Sequence, residues 1–148
     1  MIFAEGLNVT ERLLWERIGV PSGFFRGESS LKLEMIEAPH AGIARAGLRE
    51  TLESLHRLAA GAEGQPGLAA LIAGLEPERA ADMISRGERA LAELEPDTAE
   101  AAETLSATLH REPSRLKGVY RQVQALQDQI AGTGETLALP IQTHQDGD

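Results

Sequence analysis

The sequence predicts a mainly α protein. The expected architecture is an antiparallel bundle of four to five helices, preceded by an irregular N-terminal segment with a short strand at 31–36 and followed by an extended C-terminal arm. Three observations carry this expectation. Aromatic residues are only 3% of the chain while Ala and Leu abound, a bias that favours helices over sheets built from β-branched and aromatic side chains. The dipeptide Glu-Pro recurs at Glu76-Pro77, Glu95-Pro96 and Glu112-Pro113, and a helical pattern begins after each proline. Residues 77–95 divide into an apolar and a charged face when wound at the helical period.

A chain of 148 residues is expected to form one domain with a real core. Its organisation reads as a short helix plus an extended segment over 1–37, a helical bundle over 38–132, and an arm over 133–148.

Taken in order, the first helix is expected within NVTERLLWERIGVP. Asn8 and Glu11 have capping-box spacing, and Gly19 with Pro21 forms a stop. The Gly/Ser-rich break that follows contains Phe24 and Phe25, expected to plug the end of the core. Leu31, Leu33 and Met35 alternate with Lys32 and Glu34, the period of a strand. From Pro39 a helix carries Leu48, Leu52, Leu55 and Ala59 on one stripe and stops at Gly61. AEGQPG reads as a loop, and LAALIAG as a short apolar helix with Leu68, Leu71, Ile72 and Leu75.

In 77–95, Ala80, Met83, Ile84, Gly87, Ala90, Leu91 and Leu94 share the apolar face. In 97–111 the apolar face is thin, so that helix is expected to cover others. In 114–131, Leu116, Val119, Val123, Leu126 and Ile130 form a seam of alternating three- and four-residue steps, expected to pack within the chain. AGTGET at 131–136 reads as a helix stop and turn. Leu137, Leu139 and Ile141 alternate again, and Pro140 would confine a strand over 136–142 to a sheet edge. The three Glu-Pro steps do not mark a repeat, because the helix faces that follow them differ in composition; they read as helix starts joined by tight turns.

The chemistry is sparse. There is no cysteine, which removes disulfides, thiolate nucleophiles and cysteine metal sites. The net charge of −9 argues against nucleic-acid and anionic-membrane partners. No apolar run is long enough for a membrane span, and the N-terminus lacks the basic start of a signal peptide, so a cytoplasmic location is expected.

Glu37–His40 and Glu53–His56 match the Glu-x-x-His spacing of di-iron bundles. Pro39 interrupts the first. In the second, Glu53 turns to solvent and His56 falls on the flank, where it is expected to join a surface salt-bridge patch with Arg49 and Glu53. A helix-turn-helix over 8–37 would present Lys32 among Glu28, Glu34 and Glu37, a poor surface for phosphate. No nucleophile elbow and no phosphate-cradling loop occurs.

The expectation is therefore a non-enzymatic protein–protein interaction protein without cofactor, metal or catalytic residues. It would be a chaperone-like adaptor or a subunit of a larger assembly, with a protein partner or self-association. The alternatives are a metal protein using Glu53 and His56, or a small helix-turn-helix regulator. The partner surface is expected at Phe24, Phe25, Leu31, Leu33, Met35, Leu137, Leu139 and Ile141, since extended apolar stretches can add strands to a partner.

Overall fold

The computed structural model describes residues 2–24, 44–94 and 113–138, together with the single positions 107, 110 and 111. The expected strand at 31–36, most of the 97–111 helix, and Phe25, Leu31, Leu33, Met35, Leu139 and Ile141 lie outside the described residues. The described chain is mainly helical, with one two-stranded sheet. Among the described residues no helix is long and apolar enough to cross a membrane.

Helix α1 spans Ile2–Arg12. It begins earlier than the capping-box spacing of Asn8 and Glu11 implies; both residues are exposed within the helix. The apolar stripe extends back to Leu7, and Thr10 is buried with its hydroxyl donating to the Leu7 carbonyl at 2.7 Å. Gly6 lets the helix approach α3, since a β-carbon there would come 2.9 Å from Leu58. That packing supplies the support which a short N-terminal helix lacks on its own.

Gly19 and Pro21 do not stop the helix either. The chain passes through them by widening into a π-helical segment, Leu13–Gly19, followed by α2, Val20–Ser22. The Val20 N–H reaches five residues back to the Trp15 carbonyl. Proline has no N–H to donate, and its ring crowds the carbonyl four residues earlier in a regular α-helix; a wider turn relieves that crowding. The helix ends at Gly23, whose φ of 69° is left-handed.

Helix α3, Ala44–Ala60, buries Leu48, Leu52, Leu55 and Ala59, the expected stripe, and stops at Gly61 as expected. The loop after it is a tight hairpin. Strands β1, Gly61–Ala62, and β2, Gln65–Pro66, pair antiparallel, Ala62 opposite Gln65. Glu63 and Gly64 both have positive φ, 50° and 80°, the conformation that a two-residue hairpin turn demands.

Helix α4, Leu68–Ile72, buries Leu68, Ala69 and Ile72. Leu71 and Leu75, which the sequence groups with them, instead face outward. The helix ends after Ile72, and residues 73–75 turn away, the Leu75 N–H bonding to the Ile72 carbonyl at 2.9 Å, so the helical spacing that groups Leu75 with Leu68 does not carry through the turn.

Helix α5, Pro77–Leu94, starts at its proline and buries Ala80, Met83, Gly87, Ala90 and Leu94. Helix α6, Pro113–Thr136, also starts at its proline. All five residues of its seam, Leu116, Val119, Val123, Leu126 and Ile130, are buried. The AGTGET stretch is not a stop. Helix α6 runs through it to Thr136, past the boundary expected at 132, and residues 137–138 form a turn where a strand over 136–142 was expected to begin. Thr133 is buried and returns its hydroxyl to the Gln129 carbonyl at 2.8 Å, while Gly132 admits the Arg79 guanidinium. Packing against α5 thus carries the helix through two glycines that propensity alone disfavours.

One core joins these elements, from Leu7 and Ile18 through Leu52, Ile72 and Met83 to Val123 and Ile130. Contacts between α5 and α6 run in opposite order: Arg79 to Thr136, Asp82 to Gln129, Arg86 to Gln122. Those between α3 and α5 do the same, Arg45 to the Leu94 carbonyl and His56 to Gly87.

Candidate functional site

Three places on the described surface hold side chains that the core does not consume. The first is the Glu53–His56 pair. Arg49 and Glu53, one turn apart on α3, form an ion pair at 2.9 Å, as the sequence suggests. His56 does not join them. Its Nδ1 is buried with no hydrogen-bond partner and lies against Gly87 of α5. The Glu53 carboxylate is paired with the Arg49 guanidinium, and the His56 Nδ1 faces the backbone of α5. Among the described residues no three His, Asp or Glu side chains cluster to hold a metal ion.

The second is the polar seam between α5 and α6. Glu76, at the start of α5, receives a hydrogen bond from Thr136 Oγ1 at 2.5 Å and pairs with Arg79 at 2.9 Å. Arg79 Nη1 in turn donates to Thr136 at 3.1 Å. Further along, Arg86 donates both to Asp82 and, at 3.1 Å, to Gln122, and Gln129 donates to Asp82 at 3.1 Å. The carboxylates and guanidinium groups satisfy one another. Partly exposed pairs of this kind are worth ~0.2–1 kcal/mol each, so they fix register more than they add stability.

The third is apolar surface. Leu71 is 52% exposed and Leu75 67% exposed, on the outer side of α4 and the turn after it. Gly74 between them has open space where a β-carbon would stand. Trp15 is 46% exposed on the π-helical segment. Beside it a shallow cleft of about 220 Å³ is lined by Asn8, Glu11, Arg12, Trp15 and Glu16. Arg12 and Glu16 pair across one turn at 3.5 Å. That lining has charged groups but no hydroxyl, thiol or imidazole to serve as a nucleophile or its base.

Of the expected partner surface, Phe24 and Leu137 are described, and both are half-buried against the core. The Phe24 ring stands edge-on to Tyr120 with centroids 6.1 Å apart, which makes it the plug expected for the end of the core. Of the expected helix-turn-helix, only residues 8–24 are described; the segment carrying Lys32 is not among them. Sequence reading missed the outward turn of Leu71 and Leu75. The signal lay in Gly74 and Pro77, which close the segment so soon after Leu68 that Leu75 falls beyond the helix.

The chain matches no family model, no curated protein and no solved structure.

Proposed function

We propose that the chain is a non-enzymatic protein–protein interaction protein of the cytoplasm, either an adaptor or a subunit of a larger assembly. Its frame in this reading is an antiparallel helical bundle, supported by the opposite order of contacts along α3, α5 and α6. The observation that carries the proposal is the outward face of Leu71 and Leu75. Leu71 and Leu75 lie close together in the chain and both face outward, and adjoining apolar side chains on a surface are what an interface uses.

The test is native mass across a concentration series, for the wild-type chain and for Leu71→Ser/Leu75→Ser, together with recovery of co-purifying protein by each. An interaction protein loses its self-association or its bound partner in the double variant while keeping its helical content. Identical mass and identical co-purification in the two chains would remove the reading.

A further inference from the structure

We draw no further inference here: the strongest candidate, the exposed apolar face formed by Leu71 and Leu75 on α4 and the turn after it, already carries the proposed interaction role, and nothing in the structure shows what covers it.

Discussion

His56 and Gly87 meet where α3 crosses α5, so closely that a β-carbon on Gly87 would lie 2.7 Å from the imidazole Nδ1. The same β-carbon would come 3.3 Å from the His56 α-carbon, so rotating the ring away does not free enough space. Gly87→Ala therefore requires the His56 ring to turn away and α3 to ease from α5 by a few tenths of an ångström. Overpacking of this kind costs about 1–3 kcal/mol, which outweighs the gain of up to ~1 kcal/mol in helix propensity. Gly74→Ala is the matched control, since nothing lies within 4 Å of its added atom. Urea unfolding should show a clear loss for the first and little change for the second. Equal midpoints would mean that the two helices do not cross at this glycine.

The buried Nδ1 of His56 has no partner, so the imidazole carries a polar cost without a compensating bond. Replacing it with a side chain of similar size and no polar atoms should be tolerated. His56→Leu is expected to leave stability unchanged or to raise it by up to about 1 kcal/mol. A loss of more than about 2 kcal/mol would show that the ring makes a bond essential to the fold, and would reopen a ligand role for it.

The core can be graded by burial. Leu52 is 2% exposed and Val123 fully buried, whereas Leu91 is only half-buried. Leu52→Ala should cost about 2–5 kcal/mol, with Val123→Ala somewhat less because fewer atoms are removed. Leu91→Ala should cost less than half the Leu52 figure, because its site opens to water and leaves no sealed cavity. Thermal or chemical unfolding of the three variants gives the ranking. A Leu91 effect as large as that of Leu52 would place the axis of α5 differently.

The parts of this fold that could be read in the sequence are those where periodicity is long and unopposed. The Leu48–Ala59 stripe and the Leu116–Ile130 seam each repeat over several turns, so one face dominates whatever the neighbours do. Pro77 and Pro113 mark helix starts because a missing N–H costs nothing at that position. The failures sit at glycines. Gly19 and Gly132 look like breaks in isolation, yet each lies in a continuous helix, one widened into a π turn and the other pressed against Arg79. Local preference is worth about 1 kcal/mol at such positions, and tertiary packing outweighs it. The outward face of α4 was hidden for a different reason: a five-residue helix is too short for its period to say which side turns inward.

The passage of α6 through Gly132 and Gly134 can be tested by truncation. A chain ending at Gly132 loses the buried Thr133, the half-buried Leu137 and the Thr136 bond to Glu76. Compared with a chain ending at Ala138, it should be less stable by about 2 kcal/mol or more, the sum of one charge-assisted hydrogen bond and partial burial of a leucine. Equal stability would mean that the helix ends near Gly132 after all and that residues 133–138 belong to a separate arm.

Leu71 and Leu75 provide the sharpest test of the proposed function, because fold and binding separate there. Both side chains are more than half exposed, so removing them takes little from the core. Leu71→Ser/Leu75→Ser should change stability by no more than about 0.5 kcal/mol per site. If the face is an interface, the double variant should nonetheless lose the complex, since large apolar anchors at a contact centre contribute ~1–4 kcal/mol each and two of them weaken binding by orders of magnitude. Sedimentation velocity of the two chains at matched concentrations reads self-association, and isothermal titration reads a purified partner. An unfolded double variant would instead place Leu71 and Leu75 in the core. A folded one with undiminished association would remove the observation on which the proposed function rests.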